Sequence, residues 1–489
     1  MYEARVEIDY PFSNYVIEEK PLSADLEYIM NDFIKLISQK TQLKDFSRTY
    51  KLEEKERFFK EFLSGFDQGI IGKPLPTEER RKMREQLIVL FSQVLPDPVS
   101  QKLMVQQLIS RMFGIALLEP LFEDDELEEI MVNGPYDIYV FHRKVGMCKT
   151  NLKFRDEKHM LELLQQILPD ERRTTEDIRM PDGSRANVLF PPAVDQVTLT
   201  IRKFKQQPMT VIDLIINGTM NLDIAAFLWV MIEGFRLHPM NLLIVGETAS
   251  GKTTTINALS SFIPPSERIV SMEDTREISL YGMENWVATK TTEHVDLEGL
   301  VKNSLRMRPD RLIIGEVRGS EAHPLFTAMN IGSRGMLATL HAQDAKDTIQ
   351  RLENFPMNVP PNLIPLVDIV LVQHRIYTKK DGLVRRVTQI AELDWLDNVV
   401  TQNELYRFNY EHLAPEKTNL PSQSLEKLAR VTARSPSEVT AEIAQRRKML
   451  SYLVENKVTK IEDVNLFMRK YYAEMILEKD DDEKARKQH

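Results

Sequence analysis

The segment that most constrains this chain runs from Leu242 to Phe262. An apolar stretch, Leu242 to Val245, leads into Gly246-Glu247-Thr248-Ala249-Ser250-Gly251-Lys252-Thr253, and a helix-compatible run follows until Pro264-Pro265 stops it. Strand, glycine loop and helix in that order aim successive backbone N–H groups and a helix N-terminus at one anion. Gly246 and Gly251 let the backbone wrap closely, and Lys252 can reach the β- and γ-phosphates of a nucleotide. The Thr253 hydroxyl can bind Mg²⁺, and Thr254 extends the cradle into the helix. A glycine turn with an exposed lysine is the plainer alternative, but the flanking strand and helix argue against it. Runs that are apolar throughout, as here and at Ile269 to Met272 and Leu312 to Ile314, suit strands buried on both faces of a parallel sheet.

Those other strands also end in chemistry. Arg311-Leu312-Ile313-Ile314-Gly315-Glu316 is an apolar strand closing on a carboxylate, the Walker B pattern, which can hold Mg²⁺ or polarise an attacking water. Ile269 to Met272 ends in Glu273-Asp274, a second candidate acid. Met336 to Leu340 ends at His341, placed to hydrogen-bond a γ-phosphate and report its loss. Arginines can supply positive charge: Arg318 follows Walker B, and Arg179, Arg185 and Arg202 lie upstream.

Composition sets the outer limits. The chain has 489 residues, more than one core needs, with 42% apolar and 28% charged residues, an ordinary globular balance. No apolar run approaches the about 20 residues of a membrane span, and the N-terminus lacks a signal-peptide pattern, which together imply a cytoplasmic location. A single cysteine, Cys148, excludes an internal disulfide or a multi-cysteine zinc site and reads as a buried spectator. A net charge of −9 gives no general attraction to nucleic acid.

The expected organisation is a charged helical N-terminal extension over 1–98, with helices at Lys51 to Leu63 and Thr77 to Leu95. A small α/β domain follows over 99–205, with a helix at Lys102 to Phe113 and strands at Glu129 to Val132, Ile138 to Phe141 and Val197 to Phe204. A linker spans 206–221 and the main α/β domain 222–395. Asp381-Gly382 marks a hairpin turn between Val370–Tyr377 and Leu383–Ile390. A C-terminal hairpin and a helical tail are expected over 396–489, with capping boxes at Ser435-Pro436-Ser437-Glu438 and Thr459-Lys460-Ile461-Glu462 and a charged end from Asp480.

Taken in order, Gly246 to Thr254, Ser271-Met-Glu-Asp-Thr-Arg-Glu277, Arg306 to Gly319 and Gly335-Met-Leu-Ala-Thr-Leu-His-Ala342 resemble the Walker A, aspartate-box, Walker B and histidine-box motifs of the type II/IV secretion-system ATPases. This family includes pilus, archaellum and conjugation motors. Upstream, Leu118 to Leu121, Glu129 to Gly134 and Pro181 to Arg185 extend the resemblance, which covers about 100–395. It implies a RecA-like P-loop core with a smaller α/β N-terminal domain and helical extensions. It further implies a homohexameric ATPase using ATP and Mg²⁺, with Arg185 and Arg202 approaching the phosphates. Glu316 would be the Walker B glutamate and Glu273 the water-activating acid, although the two roles are not separable from the sequence. Lys252 and His341 complete the catalytic set, and Thr253 and Glu316 the metal set. The implied partner is a polytopic membrane platform protein of a pilus, archaellum or secretion system, which would hold the motor at the inner face of the membrane. The loop form and the basic ending resemble archaeal members.

Two other classes compete. A nucleic-acid translocase on the same RecA-like core is disfavoured by the acidic balance, and an assembly scaffold that hardly hydrolyses ATP is disfavoured by Glu273, Glu316 and His341. No Asn-Lys-x-Asp segment supports a GTPase.

Overall fold

A computed structural model describes residues 2–8, 13–19, 24–39 and 77–473, the last span with short breaks at 93–94, 96, 114–115, 166, 169–172, 181, 204–207 and 379–380. The expected helix at 51–63 and the charged end from Asp480 lie outside the described residues. The chain divides into two compact units, 1–206 and 207–489.

The first unit is built on one sheet. Its strands are β1 (Tyr2–Ile8), β2 (Ser13–Glu19), β3 (Leu127–Asn133), β4 (Ile138–His142), β5 (Gly146–Thr150), β6 (Thr175–Arg179), β7 (Arg185–Leu189) and β8 (Thr198–Arg202), in the order β1-β2-β5-β4-β3-β8-β7-β6. Burial alternates along the strands: Ile130 and Val132 are buried while Glu129 and Met131 are half-exposed. This is the period-two pattern of a sheet with one covered face. Leu118, Leu121, Met160 and Leu163 pack on that face beside Ile201 and the buried Cys148.

The first 98 residues are not simply helical, as expected above. Helices Ala24–Gln39 and Thr77–Phe91 are present, but β1 and β2 form a hairpin, and β2 joins β5 in parallel. The alternation that makes them strands is short. Tyr15 and Ile17 point into the core with Val16 between them, a pattern masked by the surrounding charge. Asn151 fixes the junction, accepting from the Ile17 N–H at 2.9 Å and donating to the Ile17 carbonyl at 2.8 Å.

The second unit has nine strands: β9 (Leu242–Val245), β10 (Ile269–Glu273), β11 (Trp286–Lys290), β12 (Arg311–Val317), β13 (Leu337–Leu340), β14 (Ile369–Thr378), β15 (Gly382–Leu396), β16 (Val399–Asn409) and β17 (Ala414–Lys417). They lie in the order β11-β10-β12-β13-β9-β14-β15-β16-β17. From β11 to β14 every neighbouring pair is parallel; beyond β14 all are antiparallel. Alternate residues of the parallel strands feed two cores. Leu242 and Ile244 face one, and Leu243 and Val245 face the other. Double coverage explains why these strands read as unbroken apolar runs.

One expectation changes here, and two strand features go beyond the reading. The segment expected as a linker contains helix Val211–Ile216, capped reciprocally by Thr210 and Asp213, with Val211, Ile212 and Leu214 buried. The edge strand β11 had no clear sequence signal. After 396 the chain continues as β16 and β17, an antiparallel pair that extends the sheet before the tail turns helical. Asp397 and Asn398, with φ of 50° and 63°, make the tight turn from β15 to β16, a left-handed pair that asparagine and aspartate tolerate.

The C-terminal helices Gln423–Val431, Pro436–Glu455 and 461–473 belong to this unit's core. The capping box at Ser435 and Glu438 is present. Helix Leu222–Glu233 is apolar on nearly every side because sheet and tail helices cover it from both directions. Trp229 stacks on Phe262 with centroids 5.1 Å apart and donates to the Tyr472 hydroxyl at 3.0 Å; that hydroxyl donates to the Phe262 carbonyl at 2.7 Å. Nearby, Arg446 and Glu233, both fully buried, pair at 2.7 Å, and Arg446 also meets Glu442 at 3.0 Å.

Removing one partner of a buried pair strands the other charge, a loss of about 3–5 kcal/mol. Arg446→Ala is therefore expected to destabilise the second unit by that amount in chemical denaturation. Glu442→Ala, which leaves the inner pair intact, should cost much less.

Candidate functional site

In the parallel part of the second sheet the strand ends are in step. Val245 is level with Leu340, Ala338 with Ile314, and Ile314 with Met272. The residues that follow, Gly246, His341, Gly315-Glu316 and Glu273, therefore gather at one carboxyl edge, the place where open α/β sheets bind ligands.

The loop Gly246 to Thr253 leaves β9 and enters helix Lys252–Leu259. Gly246 (φ +156°) and Gly251 (φ +94°) adopt backbone conformations that suit glycine. A Cβ at Gly246 would stand 2.1 Å from the Gln373 carbonyl oxygen, so the glycine is also required by close approach to β14. Glu247 and Thr248 are exposed and Ser250 is buried. The Thr254 side chain is half-buried in the first helical turn.

Lys252 is buried, its ammonium donating to the Gly246 and Glu247 carbonyls at 2.9 Å each and lying 3.2 Å from His341 Nδ1. Burial pushes its pKa down to about 8, against the upward pull of Glu316 and Glu247. His341 Nε2 lies 3.0 Å from Glu316 Oε1. His341 Nδ1 also lies 3.2 Å from the Gly246 carbonyl oxygen, so the ring touches the loop, the lysine and the carboxylate together. Arg318 continues the chain, donating to Glu316 Oε2 at 2.6 Å and standing 3.9 Å from Asp274. Burial raises the Glu316 pKa, but the Arg318 hydrogen bond and the His341, Arg318 and Lys252 charges outweigh it and hold the carboxyl below its ordinary value.

A bulge positions Glu316. Between Ile314 and Val317, β12 carries one residue more than β13, which re-aims the side chains there. The Thr339 hydroxyl donates to the Gly315 carbonyl inside the bulge. Gly315 has a packing reason as well: a Cβ there would meet Glu273 Cγ at 2.8 Å.

The two candidate acids sit in different surroundings. Glu273 is buried, and its Oε1 accepts from the Glu277 and Ile278 N–H groups at 2.7 and 2.8 Å, fixing the loop after β10. Glu316 faces the histidine and arginine. Glu277, which sequence reasoning passed over, accepts from the Thr253 hydroxyl at 3.2 Å. It stands four residues after Glu273 in a segment already singled out, and the chain reversal that Glu273 anchors brings it back to the cradle.

The hairpin β14–β15 supplies further residues that the sequence reading missed. Gln373, 1% exposed, donates to the Ser250 carbonyl at 2.6 Å and accepts from the Thr255 hydroxyl at 2.7 Å. Arg385 donates to the Ala249 carbonyl at 3.0 Å, and Arg375 to Glu247 at 3.2 Å. Burial raises the Glu247 pKa, but Arg375 more than offsets it and holds the carboxylate below its usual value. A glutamine inside Ile369-Val-Leu-Val-Gln373 was the available signal, because a polar residue in a buried strand needs partners. A cleft of about 520 Å³ opens beside the loop, lined by Gly246, Glu247, His341, Gln343, Arg375 and Tyr410 among others.

Arg185 and Arg202 belong to the first unit, directly opposite each other on β7 and β8, with Arg179 opposite Arg185 on β6. Cross-strand partners share a face, so the three guanidinium side chains form one row on that sheet.

A doubly covered parallel sheet, a glycine loop leading into a helix, and acids at the ends of two other strands define a P-loop α/β domain. Residues 113–412 match the type II/IV secretion system protein family, and the chain belongs to that family. The resemblance and the α/β fold read from the sequence are thereby borne out. An uncharacterised protein of Methanocaldococcus jannaschii is 45% identical over 242 residues, 46% of this chain and 33% of that one. The chain thus spans about a third of that relative's length. The type IV secretion system protein PtlH of Bordetella pertussis is 30% identical over 332 residues, 58% of this chain and 95% of that one. The crystal structure of the VirB11 ATPase of the Brucella suis type IV secretion system is similar over 56% of this chain and 96% of that one, at 24% identity and a TM-score of 0.30.

Because Gly246 abuts the β14 backbone, Gly246→Ala is expected to force the loop or the strand to move. A stability loss of at least about 1–3 kcal/mol should appear in denaturant unfolding.

Proposed function

We propose that this chain is an ATP-hydrolysing motor ATPase that works as a homohexamer and drives a pilus-like filament, an archaellum or a secretion machine. The observation that carries the reading is the continuous contact from Lys252 through His341 and Glu316 to Arg318 at the mouth of the glycine loop. It links the residue type that grips a β/γ-phosphate to the one that activates water or holds a metal. Family membership supports the coupling to a secretion or filament machine. A nucleic-acid translocase on the same core is not favoured.

In this reading the loop amides from Thr248 to Thr254 and the Lys252 ammonium hold the triphosphate. A carboxylate, Glu273 or Glu316, orients and deprotonates the attacking water, and His341 hydrogen-bonds the γ-phosphate. The Thr253 hydroxyl, with Glu277 and Glu316 nearby, is a hard oxygen donor set that suits Mg²⁺ completed by phosphate and water. When bound, Mg²⁺ would neutralise charge on the β- and γ-oxygens. Arg318, Arg185 and Arg202 are the candidates for charge stabilisation during transfer. Hydrolysis would then shift the first unit against the second, with a polytopic platform protein taking up the motion at the inner membrane face. Among the described residues no helix is long and apolar enough to cross a membrane.

Lys252→Ala is expected to abolish ATP turnover with the circular dichroism spectrum unchanged; retained turnover would remove the loop from the mechanism. Glu316→Gln should keep nucleotide binding but lower kcat by about 10²–10⁴-fold. The depressed Lys252 pKa adds a pH signature. Triphosphate favours the ammonium, so binding takes up a proton above about pH 8. ATP affinity, measured by calorimetry between pH 6.5 and 9.5, should be level at low pH. Above about pH 8 it should weaken by at most about tenfold per unit.

A further inference from the structure

A phosphate cradle works only if its peptide groups are turned the right way, and in this loop two of the carbonyls are held from outside. Ala249 sits in the left-handed region, at φ +60°, which is unfavourable for a residue with a Cβ. Gly251 follows at φ +94°. Within the loop the Ser250 N–H meets the Glu247 carbonyl at 3.3 Å and the Lys252 ammonium meets the Gly246 and Glu247 carbonyls, and none of these contacts holds the Ala249 or Ser250 carbonyl.

The bracing comes from the antiparallel hairpin. β14 pairs with β9 up to Val372 and Val245, so Gln373 lies level with the start of the loop. The β14–β15 register slips at Val372/Gln373, which re-aims the side chains there. Gln373 spends both ends of its amide on the cradle: its NH₂ on the Ser250 carbonyl and its oxygen on the Thr255 hydroxyl of the first helical turn. Arg385 holds the neighbouring Ala249 carbonyl. In a planar trans peptide the C=O and the next N–H point to opposite sides. Anchoring the Ser250 carbonyl to Gln373 therefore turns the Gly251 N–H away from the hairpin, and anchoring the Ala249 carbonyl acts in the same sense on the Ser250 N–H. A Cβ at Gly251 would lie 2.9 Å from Gln373 Nε2 and 3.1 Å from Arg385 Cδ, which shows how closely the two side chains underlie the loop.

We propose that Gln373 and Arg385 are positioning residues for the phosphate cradle, setting nucleotide affinity from a hairpin outside the parallel sheet. The inference rests on the ATP-binding reading above. Amide contacts to the phosphates are made in the ground state as well as the transition state, so loss of the brace removes uniform binding and raises KM more than it lowers kcat.

The test uses the full chain and compares ATP and ADP affinity, KM and kcat for the wild type, Gln373→Leu, Arg385→Ala, Arg385→Lys and Lys252→Ala. Gln373→Leu keeps the side-chain bulk and leaves the Ser250 carbonyl and Thr255 hydroxyl without their partner. It is expected to weaken ATP and ADP alike by about tenfold, the loss typical of one buried hydrogen bond, with kcat at saturation changed less than about threefold. Arg385→Ala should act in the same direction, and Arg385→Lys, which keeps a donor, should recover part of the affinity. Thermal melting checks folding; if Gln373→Leu does not fold, the half-buried Arg385 pair decides the matter. A fall in kcat at unchanged KM, or affinities within twofold of wild type in folded variants, overturns the proposal. Failure of the wild type to bind ATP, or full binding by Lys252→Ala, would instead overturn the underlying reading.

Discussion

Strand β9 is the constraint on which the rest of the second unit depends. Its four residues are all buried, with β13 hydrogen-bonded on one side and β14 on the other. A strand in that position has no freedom of register, because a one-residue slip would exchange the side chains facing the two cores. The loop that follows is consequently delivered to a fixed point at the sheet edge. β13 brings His341 alongside, β12 places Glu316 one strand further away, and β14 brings Gln373 up from the other flank. The candidate site is thus assembled by parallel pairing, and its distances follow from strand spacing.

The burial around this edge has an electrostatic consequence. Lys252 loses solvation, and its charge is balanced by carbonyls and by carboxylates rather than by water. Glu316 stays ionised at the same edge because Arg318, His341 and Lys252 surround it. Each group answers for the charge of another, so substitutions here will be non-additive. The C-terminal helices act on the same region from below. Tyr472 hydrogen-bonds the carbonyl of Phe262, just beyond the cradle's helix. Asn465 donates to the Tyr281 carbonyl at 2.7 Å and Arg469 to that of Gly282 at 2.6 Å, on the loop that Glu273 begins. The tail is therefore structural material of the second unit and reaches the elements that carry the site.

Much of the site was legible because its signals are local. The glycine loop needs its residues in sequence, and buried parallel strands advertise themselves as apolar runs that end where polar chemistry begins. Glu273, Glu316 and His341 could be named on that basis. Gln373 signalled only that a polar residue in a buried strand needs a partner, and neither it nor Arg385 or Glu277 could be assigned to the loop, since each reaches it across a tertiary contact that spacing does not encode. The strands β1 and β2 were obscured for a related reason. They are short, and their fate as strands depends on pairing with β5, more than a hundred residues away.

What the sequence by itself determined was the cradle, its following helix, the apolar strands and the acids and histidine at their ends, because each is dictated by neighbours along the chain. What only the tertiary structure decided was which of those ends meet. The parallel order β10-β12-β13-β9 puts Lys252, His341 and Glu316 in one line of contacts, and the turn at Asp397-Asn398 keeps the following region in the sheet. The buried pair Arg446–Glu233 draws the tail into the core. Each of these choices is made by non-local hydrogen bonding and burial, whose physical cost and gain appear only once the strands are paired.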